Sequence, residues 1–168
     1  SLDFGSTGDF TLSLWMRREG SMTTSVPAGE ASDGVLICKQ NWDSGSSPGW
    51  GLYATSDGGV KWNIAGPSGR KSGEIASGAS GLADGRWYHI LVSNNRSGSA
   101  RCYVDGVLKK TIAISGTGSV DNSMALSMGV DGNGKHSWGG SLDEVAIWGR
   151  ALDSSEAKEV YQNSRGGI

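Results

Sequence analysis

Strict alternation between apolar and polar side chains is the feature of this sequence that most restricts its fold. In the segment DFTLSLWMRR (9–18), every second residue is apolar, and these residues are Phe10, Leu12, Leu14 and Met16. A repeat of two residues is that of a β-strand, in which successive side chains point to opposite faces of the sheet. The segment therefore predicts a strand with one face toward a core and with Trp15 on the other face.

Similar short segments follow along the chain and are separated by turns that are rich in glycine. The chain of 168 residues has 28 Gly and only 3 Pro, and Asp57-Gly58-Gly59 and Asp105-Gly106 are strong turn signals. About ten short strands at regular spacing are typical of a β-sandwich or jelly roll. We therefore predict an all-β fold, a β-sandwich or jelly roll.

One short helix is predicted near the C-terminus. Asp153 suits an N-cap, and Glu156 follows three residues later, which is the spacing of a capping box. Ala157, Val160 and Tyr161 then form a narrow apolar stripe. A helix this short is marginal alone, so we expect it to dock on the sandwich.

Length and charge restrict the organisation and the partners. We expect residues 1–168 to form a single module, excised from a larger protein because the chain opens almost inside a strand. The net charge is −2, from 15 basic and 17 acidic residues that are well mixed. This balance argues against nucleic acid and anionic membranes as partners. No apolar run approaches the roughly 20 residues of a membrane span, so no membrane insertion is expected.

The two cysteines, Cys38 and Cys102, lie in separate apolar segments. They either pair or remain buried free thiols, and the sequence leaves both open. A structural zinc site would need both of them together with His89 and His136, and these four residues lack ligand spacing. The sequence therefore does not favour zinc.

Four stretches carry a resemblance to a known family. They are DFTLSLWM (9–16), DGRWYHILV (84–92), YVDGVL (103–108) and GGSLDEVAIWGRALDSSEAKEVY (139–161). In this order they resemble the laminin G-like or concanavalin A-like lectin superfamily, in the branch found in bacterial extracellular proteins. The resemblance covers nearly the whole chain from Asp9 onward, and its last motif is the most specific. It implies a two-sheet antiparallel β-sandwich (jelly roll, concanavalin A-like), often with one structural calcium and often with a glycan-binding role, in a secreted or cell-surface protein.

Two adjacent acids begin the last predicted strand. Alternation places Asp143 on the face of Val145 and Ile147, and Glu144 on the opposite face beside Trp148. If Ile147 points into the core, Asp143 enters at the rim of the core, where an ionised carboxylate is costly unless it is paired or bound to metal. Either backbone N–H groups of the glycine-rich approach or a calcium ion would satisfy it.

The resemblance favours the calcium alternative, with further oxygen ligands from the N-terminal segment. The candidate metal ligands are Asp143, Asp9, Asp3 and the carbonyl of Gly5. A hydrogen-bonded structural Asp143 remains the other possibility.

Catalytic activity is not expected. A glycoside hydrolase needs two carboxylates that face one cleft, whereas Asp143 and Glu144 point to opposite faces of a strand. The chain also lacks the E-x-D-x-x-E strand of laminarinase-like enzymes of this fold. Neither His89 nor His136 lies in a nucleophile motif.

Seven tryptophans give the main hint of a ligand. Trp and Tyr present a flat apolar face and a polar atom, which suits stacking on sugars. Trp87 and Trp148, at strand ends, are interpreted as packing residues. Trp42 and Trp138 lie in polar, glycine-rich loops, and Trp50 opens a strand. The predicted ligand-binding residues are Trp42, Asp43, Trp50, Asn133, His136 and Trp138.

The sequence thus predicts a noncatalytic carbohydrate-binding module that recognises a polysaccharide through exposed aromatic and polar side chains. We expect it to be extracellular and tethered to catalytic or adhesin domains of a longer chain. The alternative is a structural or protein-interaction module without a sugar site.

Overall fold

The computed structural model describes residues 2–19, 33–41, 47–76 and 82–165. It contains ten strands and one helix within these ranges. The elements are β1 (Phe10–Arg18), β2 (Gly34–Lys39), β3 (Gly49–Ala54), β4 (Val60–Gly66), β5 (Gly69–Ala76), β6 (Trp87–Asn94), β7 (Ser99–Val104), β8 (Val107–Ala113), β9 (Ser127–Met128), β10 (Gly140–Trp148) and α1 (Ser154–Ser164). The strands form two five-stranded sheets, the first in the order β10-β1-β6-β7-β8 and the second in the order β5-β4-β3-β2-β9.

All neighbouring strands are antiparallel. The two-sheet antiparallel sandwich that the sequence predicts is therefore confirmed, as is the short helix near the C-terminus. The helix begins as predicted: the Asp153 carboxylate accepts from the backbone N of Ser155 and Glu156, and Glu156 accepts from the backbone N of Asp153. Both halves of the capping box are present.

The core lies between the inner faces of the two sheets. The four apolar residues of β1 all point into it, as alternation predicts. From the second sheet, Trp50 and Trp62 fill the centre, with ring centroids 6.2 Å apart. Phe4 closes one end by stacking on Phe10, with centroids 4.2 Å apart. Burying large aromatic side chains in this way contributes much of the folding free energy.

The outer face of the first sheet is covered by α1. Leu91 and Tyr103 of the sheet pack against Ala157 of the helix and against Leu152 just before it. Trp15, on the face opposite the core as predicted, donates through Nε1 to Oγ of Ser164 at 2.9 Å. The apolar stripe of the helix thus finds the partner surface that a short helix requires.

The outer face of the second sheet carries a buried polar layer. Oε1 of Gln40 accepts hydrogen bonds from Nδ2 of Asn63 at 2.5 Å and from the Tyr53 hydroxyl at 3.4 Å. Nε2 of Gln40 donates to the carbonyl of Ser47 at 2.8 Å. All three of these side chains are fully buried, so this part of the face is not an exposed platform for a ligand.

Strand β10 departs from regular alternation. Its pairing with β1 shifts between the pairs Ser13–Ala146 and Trp15–Asp143, so two residues of β10 oppose the single residue between them on β1. This is a β-bulge, and Glu144 within it has φ 47°. Because directly opposed residues share a face, Asp143 lies on the outer face with Trp15. The prediction that Asp143 shares the core-facing side with Ile147 is therefore wrong.

The two cysteines are free and buried, and they lie in different sheets. Burial raises the pKa of Cys38 to about 11 and that of Cys102 to about 12. Of the two possibilities that the sequence left open, the structure has the unpaired thiols. Among the described residues, no helix is long and apolar enough to cross a membrane.

Candidate functional site

A groove lies between the C-terminal half of β10 and the exposed side of α1. We call it the β10–α1 groove, and its volume is about 390 Å³, within the range of small-molecule sites. It is lined by Glu144, Trp148, Arg150, Leu152, Glu156, Glu159, Val160, Asn163 and Ser164. The groove thus joins one strand, one helix and the short connection between them.

The apolar part of the groove consists of Trp148, Leu152 and Val160. Leu152 is buried, whereas Trp148 and Val160 are partly buried and pack on the cluster beneath the helix. Trp148 therefore combines a fixed position with some accessible ring surface. An indole held in this way can stack on an apolar face of a ligand.

The connection between β10 and α1 is fixed from below by the first sheet. The Thr11 hydroxyl donates to the carbonyl of Arg150 at 2.9 Å and accepts from the backbone N of Leu152 at 3.0 Å. The Ser93 hydroxyl donates to the carbonyl of Leu152 at 2.7 Å. These bonds hold the two walls of the groove at a set separation.

One polar wall contains a charge pair. Nη2 of Arg150 lies 2.6 Å from Oε1 of Glu156, and the other carboxylate oxygen of Glu156 caps the helix. The bond to Arg150 is the main reason why the pKa of Glu156 lies below its ordinary value, and the bond to Glu156 raises the pKa of Arg150. Both side chains are thus charged and oriented at neutral pH.

The bulge in β10 places Glu144 at the groove. A left-handed φ of 47° is uncommon for a residue other than glycine. The backbone N of Glu144 is held by Oδ1 of Asp143 at 2.8 Å, and its own side chain is exposed at the groove. Glu144 thus lies at the same groove as Trp148, as alternation predicts, whereas the bulge moves Asp143 to the outer face.

The ligand-binding residues that the sequence predicts are not brought together on a surface. Trp50 is fully buried in the core, and His136 and Trp138 are 1% and 8% exposed. A buried ring has no face for a sugar, so the prediction of stacking is wrong for Trp50 and Trp138. Asn133 is exposed on the turn that follows Asp131.

The remaining two predicted ligand-binding residues, Trp42 and Asp43, lie outside the described residues. Trp138 was misjudged because it lies in a polar loop, yet its ring packs against Gly34 and Gly140, two positions without side chains. Because these two glycines have no side chains, they leave the space that the indole of Trp138 occupies.

The candidate calcium ligands are dispersed and already paired. Oδ1 of Asp3 lies 2.6 Å from Nζ of Lys39, and Oδ1 of Asp9 accepts from the backbone N of Arg96 at 2.7 Å. The carbonyl of Gly5 accepts from the backbone N of Val120 at 3.2 Å.

Asp143 opposes Trp15, which lies six positions after Asp9 along β1, or about 20 Å at the usual rise of a strand. It therefore cannot share a metal ion with Asp9. Among the described residues, no group of three or more His, Cys, Asp or Glu could hold a metal. These residues do not fit the calcium site that the resemblance implies.

A serine and a histidine also meet, beneath the helix. Oγ of Ser13 lies 2.7 Å from Nε2 of His89, and the imidazole packs between the rings of Trp15 and Tyr161. His89 is fully buried and Ser13 is 2% exposed. A nucleophile needs access to its substrate, so this contact serves packing.

The sequence alone does not predict the β10–α1 groove, because it places Glu144 beside Trp148 but indicates a packing role for Trp148. A bulge leaves little trace in the pattern of residues, so its effect on Asp143 cannot be seen in the sequence alone. The available signal was the proximity in sequence of Trp148, Arg150 and the capped helix.

Comparison with known proteins agrees with the fold. The profile of the concanavalin A-like lectin/glucanases superfamily matches residues 1–158. The botulinum-like toxin eBoNT/J of an Enterococcus species is 24% identical over 164 residues, which are 96% of this chain but only 12% of the toxin.

Solved structures of toxin binding domains share the architecture. The binding domain of Paraclostridial Mosquitocidal Protein 1 superposes with a TM-score of 0.72 at 18% identity, over 97% of this chain and 39% of that one. The binding domain of botulinum neurotoxin serotype G gives a TM-score of 0.65 at 21% identity, over 95% and 37% of the two chains.

The chain therefore spans a minor part of these larger proteins, and at such identities the likeness establishes the fold alone. The match of the family profile reaches from the first residue into α1. The resemblance seen in the sequence is thereby confirmed, and the chain belongs to the concanavalin A-like lectin/glucanases superfamily.

Proposed function

We propose that this chain is a noncatalytic carbohydrate-binding module of an extracellular protein and that the β10–α1 groove is its sugar site. The observation that carries the proposal is the partly exposed indole of Trp148 inside a groove whose walls are polar. A sugar ring presents C–H groups on its faces and hydroxyl groups around its edge, and this groove offers a complement to both.

The polar groups of the groove suit sugar hydroxyls. Carboxylates accept hydrogen bonds, the Arg150 guanidinium donates them, and the Asn163 amide does both. These groups surround Trp148 on the strand side and on the helix side. A ligand that stacks on the indole thus has donors and acceptors within its reach.

The comparisons support the general class of function. The family is named for lectins and glucanases, and the similar solved structures are described as binding domains or receptor binding domains of toxins. A role in binding within a larger secreted protein agrees with these descriptions. The proposal includes the absence of catalysis, and the burial of Ser13 and His89 agrees with it because a substrate could not reach them.

The experiment is a glycan array followed by affinity electrophoresis in gels that contain the polysaccharides that score. We expect binding by the wild-type chain and at least a tenfold loss with Trp148→Ala, since stacking on one aromatic ring is worth about that much. Trp42→Ala tests the loop site that the sequence predicted.

Trp87→Ala is the matched control. Trp87 is also partly buried at an end of a strand of the first sheet and lies under the Arg17 guanidinium. Trp87 pairs with Arg17 of β1, whereas Trp148 pairs with Thr11 of the same strand. The distance between these two positions along β1 puts Trp87 about 20 Å from the groove. If Trp42→Ala loses binding and Trp148→Ala does not, the sugar site lies at the loop and not in the groove. If the chain cleaves any polysaccharide, the proposal that it is noncatalytic is wrong.

A second candidate function, protein interaction without a sugar site, is favoured by one separate feature. Val107 and Leu108, at the start of the edge strand β8, are 56% and 49% exposed. Exposed aliphatic side chains on a sheet edge are suited to contact with another protein. An array on which no glycan is bound would favour this candidate.

A further inference from the structure

We propose that the β10–α1 groove selects sugars that carry a free amino group and rejects sugars that carry carboxylate or sulfate groups. This inference rests on the proposed function of the groove. It concerns the chemical class of the ligand, which the polarity of the groove alone does not define.

The charges in the groove do not balance. Its ionisable side chains are Glu144, Arg150, Glu156 and Glu159, three acids and one base. The Arg150 guanidinium is satisfied by Glu156 at 2.6 Å, so these two side chains neutralise each other. The carboxylates of Glu144 and Glu159 are left as the net charge of the site.

Neither of these two carboxylates makes a hydrogen bond or an ion pair with any residue that the structure describes. Glu144 extends from the bulge on the strand side, and Glu159 extends from α1 on the helix side. Both are exposed. A sugar that stacks on Trp148 would therefore lie between two acidic side chains on opposite walls.

This arrangement discriminates among sugars by charge. An ammonium group on the ring would form a charge-assisted hydrogen bond with Glu144 or Glu159. Hydroxyl groups of a neutral sugar would form ordinary hydrogen bonds there, and a uronate or a sulfate would be repelled. Because exposed ion pairs are individually weak and are screened by salt, we expect a preference of about tenfold for the amino sugar over its neutral form.

The experiment compares three oligosaccharides of equal length by calorimetry at low salt. They are a chitosan hexamer with free amino groups, the fully N-acetylated hexamer and hexagalacturonate. All three are titrated in the same weakly acidic buffer. We expect the chitosan hexamer to bind about tenfold more tightly than the N-acetylated hexamer, and hexagalacturonate not to bind.

The double variant Glu144→Gln/Glu159→Gln keeps the shape of the groove and removes its charge. We expect it to bind both hexosamine oligomers with nearly equal affinity, because an ammonium group no longer meets a negative charge in the groove. Glu74→Gln, an exposed acid on β5 of the other sheet, is the matched control and should leave the tenfold preference intact.

The outcomes separate this inference from the proposed function. Binding of the N-acetylated hexamer or of hexagalacturonate at least as tightly as chitosan, with loss of that binding in Trp148→Ala, would overturn the charge selection and leave the sugar site. A preference for chitosan that survives the double variant would also overturn it. If none of the three oligosaccharides binds and the array is blank as well, the proposed function fails and this inference fails with it.

Discussion

Oγ of Ser13 and Nε2 of His89 lie 2.7 Å apart across β1 and β6, on the sheet face that α1 covers. In the described part of the chain, Nδ1 of His89 has no hydrogen-bond partner. The imidazole is therefore buried with one satisfied nitrogen, a situation that suits the neutral form and disfavours the charged one.

Stability should consequently depend on pH through His89. Burial lowers the pKa of His89 from 6.5 to about 4. Between these values the unfolded chain binds a proton that the folded chain does not bind, so stability is complete above about pH 6.5 and is lost as the pH falls toward 4. A shift of this size corresponds to about 3 kcal/mol. Urea unfolding of the wild-type chain at several pH values between about 7.5 and 4 measures the loss.

His89→Gln isolates this contribution from those of the carboxylates. The variant keeps a group that can bond to Ser13 but does not titrate, so its stability should fall less steeply over the same pH range. Parallel curves for the two proteins would mean that the imidazole is not the group responsible.

Removal of the helix cap should loosen α1. Oδ1 of Asp153 accepts from the backbone N of Ser155 at 2.8 Å and from that of Glu156 at 2.9 Å. Asp153→Ala leaves both donors without this partner, and the loss of such a cap costs about 1 kcal/mol. For a chain of this size we expect the thermal midpoint to fall by about 2–4 °C. The neighbouring change Ser155→Ala keeps the carboxylate and should move the midpoint by less.

Calcium removal should have little effect through the residues that the sequence proposed as ligands. Asp3 and Asp9 have partners within the chain, at Lys39 and at the backbone of Arg96, and Asp143 lies far along the sheet. We expect equal thermal midpoints in EDTA and in millimolar calcium chloride. A midpoint several degrees lower in EDTA would show that a calcium ion binds and stabilises the folded state.

The parts of the structure that the sequence predicted well are those that depend on local periodicity. The core face of β1 and the capping box at Asp153 each follow from side chains within a few residues of one another. The position of Trp138 depends instead in part on the space at Gly34, which is distant in sequence. Space of that kind is created by tertiary contact, and a single sequence carries no record of it.

The candidate site also depends on tertiary contacts that local sequence patterns do not record. The sequence predicts that Trp148 lies at a strand end and that Asp153 caps the helix, but the groove exists only because α1 docks beside β10. The bulge at Glu144 moves Asp143 to the outer face, and alternation assumes that no bulge is present. The observed face of Asp143 is therefore beyond an argument from periodicity.

Two glycines at the ends of β10, Gly140 as its first residue and Gly149 just after its last, test how tightly Trp138 is packed. A Cβ at Gly140 would lie 2.5 Å from atoms of the Trp138 ring and 2.6 Å from the carbonyl oxygen of Arg17. Since the backbone oxygen belongs to the paired strand β1, it cannot move without disturbing the sheet. We expect Gly140→Ala to lower the free energy of unfolding by about 1–3 kcal/mol, the usual cost of overpacking.

Gly149→Ala is the matched control at the other end of the strand. A Cβ at Gly149 meets no atom within 4 Å, and its φ is not in the left-handed region. The same substitution there should be neutral or should stabilise the fold by up to about 1 kcal/mol, because alanine restricts the unfolded chain more than glycine does. Urea unfolding of both variants measures the difference. If Gly140→Ala is as stable as Gly149→Ala, then Trp138 has room to move. In that case Trp138 could contact a ligand, as the sequence predicts.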